Sequence, residues 1–144
     1  MRKIMKTNIK FRVWCNTTKH FTDIPFYSCG GGQLLWHHTS NEITISNIDE
    51  GDYEVQQFTG LKDKNGKDIY EGDLIAFSCD YTIDSSAVDI IQWENQKVFY
   101  SEEYAGFYFG TKHQFQILDI NMPETIEVVG NIFENPELLR QEKS

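Results

Sequence analysis

The chain has 144 residues, 40% of them apolar and 24% charged, and its 22 acidic against 13 basic side chains leave a formal net charge of −9. That length can bury a core without metal or disulfide staples, three cysteines without paired spacing suit reduced thiols, and no apolar run approaches the roughly 20 residues of a membrane span. The acid excess is lopsided: residues 1–56 carry six Lys or Arg and six Asp or Glu, whereas 57–144 carry seven and sixteen, which disfavours a general nucleic-acid binder because carboxylates repel phosphate.

Met1–Lys6 is basic and leads directly into an alternating stretch, without the apolar run of a secretory signal, so a soluble, unexported protein is expected. Ile9, Phe11 and Val13 alternate with Lys10 and Arg12, the period of a half-buried strand, and place Trp14 on the wet side or at the strand end. Asn16–Lys19 is turn material. Phe21–Tyr27 is extended but broken by Pro25, and Gly30-Gly31-Gly32 makes a loop. Leu34–His38 and then Ile43 and Ile45, alternating with polar residues, predict further strands. The acidic turn at 49–52 and the change of charge balance predict an N-terminal β subdomain over 1–55 and a second unit over 56–144.

In that second unit, Thr59–Leu61 and Asp68–Tyr70 flank Asp63-Lys64-Asn65-Gly66-Lys67, where Asn65-Gly66 supplies the positive φ angles of a tight hairpin. Glu71-Gly72-Asp73 makes a second turn, and Leu74–Phe77 is a short apolar run of the kind a buried strand shows. Cys79–Ala87 reads as a polar loop. Val88–Trp93 and Val98–Tyr100 read as a hairpin around Glu94-Asn95-Gln96-Lys97. Tyr104–Phe109 is dense in aromatics, Phe115–Ile120 alternates, and Thr125–Ile132 is the last long strand. Asn135-Pro136-Glu137 has an N-cap, a proline at the first helical position and an early acid, so a short helix over 135–140 closes the chain.

The run Gln57-Phe58-Thr59-Gly60-Leu61-Lys62-Asp63-Lys64-Asn65-Gly66-Lys67-Asp68-Ile69-Tyr70-Glu71-Gly72-Asp73 resembles the signature of the YopX family of bacteriophage and prophage proteins. Ile9-Lys10-Phe11-Arg12-Val13-Trp14 is similar to the family's opening strand, and Val128-Val129-Gly130-Asn131-Ile132-Phe133-Glu134-Asn135-Pro136-Glu137-Leu138-Leu139 to its closing one. The resemblance implies a mainly β fold, a phage or prophage origin and a bacterial cytoplasmic setting, and it brings no catalytic residues. A Gly-Asp turn feeding a buried strand is also how many small SH3-like barrels begin. The expected fold is therefore mainly β, an N-terminal β subdomain with a C-terminal SH3-like barrel.

Candidate chemistry is sparse. Gly30–Gly32 lacks the Lys-Ser/Thr ending of a phosphate loop and the glycine spacing of a dinucleotide site. A zinc site built on Cys29 and a histidine lacks paired close-spaced ligands, and adjacent His37 and His38 point to opposite faces of an extended chain. Asp63-Lys64-Asn65-Gly66 departs from a calcium loop in its lysines and glycine position. No catalytic residue, metal site or cofactor is assigned, although a small hydrolase built from scattered carboxylates, histidines or thiols is a third reading. Aromatics are more numerous than one small core needs. Trp93, Phe99, Tyr100, Tyr104, Phe107 and Tyr108, with Phe109, suit a groove that takes an extended basic protein segment; the other reading of the same residues buries most of them between the two subdomains. The expected function is thus a non-catalytic phage accessory protein binding a host or phage protein, with homo-oligomerisation through strand edges as a further expectation. In the alternative reading, Arg2, Lys3, Lys6, Lys10 and Arg12, which meet no acid in the first fourteen residues, form a basic arm that touches nucleic acid.

Overall fold

A computed structural model describes residues 10–22, 26–29, 33–37, 43–47, 52–84, 87–111, 113–119 and 122–142. The protein is mainly β, with a curled half-barrel sheet. Its chain divides into two compact units, one over Phe11–Gln56 and one that joins the N-terminal residues through Lys10 to Gln57–Ser144. The glycine loop at 30–32, His38, and Arg2, Lys3 and Lys6 of the basic arm lie outside the described residues, as do the side chains of Cys29 and His37.

In the smaller unit, β1 (Phe11–Cys15) lies between β2 (His20–Phe21) and the first residues of β6 (Tyr53–Lys62). The turn between β1 and β2 closes with Lys19 N–H donating to the Cys15 carbonyl at 2.9 Å. The expected alternation does not hold. Phe11 is 40% exposed, whereas Val13, Trp14 and Cys15 are all buried. Trp14 goes inside because Phe21, its cross-strand partner, meets it edge to face at 5.0 Å, and that contact outweighs the wet side assigned by period alone. β3 (Phe26–Cys29), β4 (Gln33–His37) and β5 (Ile43–Asn47) form a separate antiparallel meander in sequence order.

In the larger unit, β6 continues to Lys62 and pairs with β7 (Asp68–Tyr70), Phe58 facing Tyr70 and Lys62 facing Asp68. The hairpin tip is built as the turn chemistry requires. Gly66 takes φ +80°, Asp63 N–H donates to the Lys67 carbonyl at 2.8 Å, and Gly66 N–H returns to the Asp63 carbonyl at 3.0 Å. At the second turn Gly72 has φ +83°, a conformation that a side chain resists. It is tied on both sides, donating to the Val98 carbonyl and accepting from Ile132 N–H.

The remaining strands make a five-stranded sheet ordered β11-β10-β9-β8-β12, from β8 (Asp73–Asp84), β9 (Ala87–Ser101), β10 (Gly106–Gly110), β11 (Phe115–Ile117) and β12 (Ile126–Asn131). The expected loop over Cys79–Ala87 is strand at Cys79–Asp84 and at Ala87: Ser78 to Thr82 pairs in register with Gln92 to Val88, and Asp84 faces Ala87 after a register shift. Val88–Trp93 and Val98–Tyr100 do not form a hairpin. They are one strand, and the Asn-containing turn signal at 94–97 marks a bulge where Ala76 faces both Glu94 and Asn95, with Asn95 at φ +55°. A left-handed residue that could have reversed the chain instead kinks it. The core beneath the sheet gathers Ile69, Ile75, Phe77, Val98, Phe109, Leu118 and Ile126.

The closing helix is a 3-10 helix over Pro136–Glu142. Asn135 anchors it, accepting Asn131 N–H on its side-chain oxygen at 3.2 Å, while Leu138 N–H donates to the Asn135 carbonyl. Gly130 is required by space, since a Cβ there would stand 2.5 Å from Asn135 Oδ1.

Candidate functional site

The register of β9, β10 and β11 sorts the aromatic residues onto two faces. Val98 faces Phe109 and Tyr100 faces Phe107, so these four share the core side. Val98 and Phe109 are wholly buried. Trp93 reaches the same core, edge to face with Phe109 at 5.8 Å and with Phe77 at 6.2 Å. Phe107 packs against it as well, and Tyr100 meets Phe107 at 5.3 Å while remaining 46% exposed.

The outward face carries the other set. Phe99 faces Tyr108, Tyr108 faces Ile117 and Gly110 faces Phe115, which puts Phe99, Tyr108, Phe115 and Ile117 on one side of the sheet. Phe99 stacks on Tyr108 at 6.2 Å, and Phe115 stands edge-on to Tyr108 at 5.4 Å. Tyr104, from the turn between β9 and β10, closes the group at 5.8 Å from Tyr108 and 6.0 Å from Phe115. Tyr104, Phe115 and Ile117 are exposed, at 53%, 37% and 51%. Glu102 and Glu103 are exposed in the same turn, and the charge of Glu103 with its hydrogen bond holds the Tyr104 phenol above its ordinary pKa.

Of the sequence-assigned aromatics, then, Phe99, Tyr104 and Tyr108 come together on the outward face, Trp93 and Phe107 join the core, and Tyr100 lies on the core side with an exposed ring. Phe115 and Ile117 belong to the outward patch and escaped notice. Their signal was the polar–apolar alternation of Phe115-Gln116-Ile117, which gives a face but not which side of the sheet it takes. A shallow open cleft beside Trp93 is lined by Lys64, Ser78, Gln92, Glu94, Thr125 and Glu127, with Lys64 and Glu127 paired across it at 2.9 Å.

The charged residues of the 57–73 run are engaged in structure. Asp63 is buried, and its carboxylate accepts Asn65 N–H and Lys67 N–H on one oxygen and Val128 N–H on the other, each at 2.9 Å. Burial pushes its pKa up, yet these backbone hydrogen bonds and the Lys67 charge prevail and hold the carboxyl below its ordinary value. Asp68 is held low chiefly by its hydrogen bond with Lys10, burial opposing, with Lys62 adding a second ion pair at 3.0 Å. Glu71 accepts Gln57 N–H at 3.2 Å, and buried Asp73 accepts Tyr70 N–H at 2.8 Å.

Two members of the basic arm are likewise occupied. Lys10 pairs with Asp68 and lies over the Phe58 ring at 4.3 Å. Arg12 Nε donates to Gln56 Oε1 at 2.7 Å, and its guanidinium covers the Phe21 ring at 4.4 Å. Cys15 is buried, and hydrogen bonds with Thr18 hold its thiol below its ordinary pKa. Cys79 is half-buried and free. Among the described residues no three His, Cys, Asp or Glu side chains converge to hold a metal ion, and no helix is long and apolar enough to cross a membrane.

The family described as YopX protein matches residues 10–140. The chain belongs to the YopX family. No curated protein matches it. Its fold is similar to that in the crystal structure of protein EF1440 from Enterococcus faecalis, at 24% identity and a TM-score of 0.56, with 93% of this chain and 99% of that chain covered. The stretches that resemble YopX proteins in sequence, 57–73 and 128–139, are those whose polar side chains close turns and link strands in this YopX chain. The family match, over residues 10–140, also spans the outward aromatic face.

Proposed function

We propose that this YopX-family chain is a phage- or prophage-encoded accessory protein of the bacterial cytoplasm that works by binding another protein, without catalysis. The contact surface is the outward face of β9, β10 and β11. One observation carries this reading: Phe99, Tyr104, Tyr108 and Phe115 touch one another on a sheet side where Tyr104, Phe115 and Ile117 are open to solvent. Contiguous exposed aromatics cost solubility and mark partner surfaces, where their large rigid area is well used. Sixteen acidic against seven basic residues over 57–144, with Glu102 and Glu103 beside the patch, favour a basic protein segment as the partner. The same reading takes the larger unit as an SH3-like barrel, supported by the Gly72 turn into β8 and the 3-10 turn Pro123–Thr125 that leads β12 back to pair with β8.

The test is retention of proteins from host lysate on the immobilised chain, with and without nuclease, beside a Tyr104→Ala/Phe115→Ala variant. A single protein retained in both conditions and lost from the variant is the expected result. Retention that vanishes with nuclease, or that survives in the variant, removes the face from its assigned role.

A further inference from the structure

The outward edge of β11 ends the five-stranded sheet, and its hydrogen-bond parity is legible. Thr111 N–H donates to the Gln114 carbonyl at 2.8 Å and Leu118 N–H to the Phe107 carbonyl at 2.9 Å. With Gln116 registered opposite Phe109, the bonded pairs along β10 and β11 are 111 with 114, 109 with 116 and 107 with 118. Gln116 therefore spends its backbone groups on β10. The N–H and C=O groups of Phe115 and Ile117 point the other way, off the edge of the sheet.

All three residues of β11 are exposed, and none is a lysine, a proline or an acid of the kind that blunts sheet edges. Among the described residues, the two whose backbone groups the β10 ladder leaves unspent are the same two whose side chains extend the aromatic face. We propose that the partner binds by strand addition: an extended, lysine- or arginine-bearing protein segment pairs with the outward edge of β11 as a sixth strand. Its alternate side chains lie on the face formed by Phe115, Ile117, Tyr108 and Tyr104, and its cations meet Glu102 and Glu103. This rests on the reading of the aromatic face as the contact surface and adds the geometry of contact. Backbone bonds to the short edge supply alignment, and the pockets between aromatic rings supply preference. A second copy is the poorer occupant, because each chain brings a net charge of −9.

The probe is a short capped peptide of alternating lysine and valine, with a glutamate–valine peptide as control, titrated into the full-length protein and followed by amide-resolved hydrogen exchange and NMR shifts. Expected is slowing of exchange by about tenfold or more at the Phe115 and Ile117 amides, with Gln116 already protected in the free protein. The lysine peptide alone should do this. Ile117→Pro removes an outward N–H without touching the β10 ladder, a position where an edge strand tolerates proline, and should weaken binding about tenfold or more, whereas Ile117→Thr keeps the N–H and should retain amide protection. Shifts at Tyr104 and Tyr108 without amide protection, or equal binding by Ile117→Pro, would overturn strand addition and leave the aromatic face as the contact surface. Protection of both amides in the free protein that grows with its concentration would assign the edge to a second copy and overturn the proposal. An absence of any response to the lysine peptide would overturn it too, while the lysate experiment decides the face independently.

Discussion

Asp63 is 4% exposed and still carries its charge, because three backbone N–H groups converge on its two oxygens. Two belong to its own turn and the third, from Val128, ties that turn to β12, so one side chain sets both a local and a long-range geometry. Asp63→Ala leaves three donors without an acceptor and should cost about 3 kcal/mol or more in a urea titration, with Asp63→Asn losing less because one oxygen remains. Acid should act through the same group. Folded Asp63 and Asp68 both have pKa values below the ordinary one, so around the unfolded value of about 3.9 the unfolded chain binds more protons. Their contribution is complete above that value and is lost as pH falls through it toward the folded values. The urea midpoint should hold steady down to about pH 5 and drop below about pH 4, less steeply in Asp68→Asn.

β9 shows what a strand can absorb. Its 15 residues contain Asn95, a residue suited to left-handed backbone, in a polar tetrapeptide that reads as a turn. The flanking stretches both pair with β8, Trp93 with Phe77 and Gln96 with Ile75, and this ladder turns the reversal signal into a bulge. Substitution separates the two possibilities. At φ +55° a glycine is comfortable and a β-branched residue is strained, so Asn95→Gly should leave stability within about 0.5 kcal/mol and Asn95→Val should lower it by about 1–2 kcal/mol. The β1 strand teaches the same lesson by a different route: its alternating pattern places Trp14 on the wet side or at the strand end, and cross-strand contact with Phe21 buries it.

The larger unit as a body has to keep one aromatic set in its core and tolerate another outside. Phe109, wholly buried against Phe77 and Trp93, should cost about 3–5 kcal/mol when cut to alanine. Tyr104 and Phe115, each more than a third exposed, should cost together only about 1–2 kcal/mol, because little of their area leaves water on folding. Thermal denaturation of the two variants checks the contrast, and binding should be lost in the one that remains folded. The lopsided charge belongs here as well: sixteen acidic against seven basic side chains over 57–144 disfavour phosphate at that part of the chain, and Lys10 is paired with Asp68.

Several features were legible in the sequence for a local reason. The Asn65-Gly66 hairpin, the Gly72 turn, the Asn135-Pro136 helix start and the mainly β class all follow from φ preferences, proline geometry and short-range periodicity, and the stretches that resemble YopX proteins include those turns. Long-range pairing decided the rest. Whether Cys79–Asp84 is loop or strand depends on partners 3–12 residues further along the chain rather than on its own polar composition. Which aromatics are buried depends on the side of the sheet each takes, and a period of two fixes only that Phe99 and Tyr100 differ, not which of them faces the core. The free backbone groups of Phe115 and Ile117 depend on the β10 register, where a slip of one residue would have turned Gln116 outward instead.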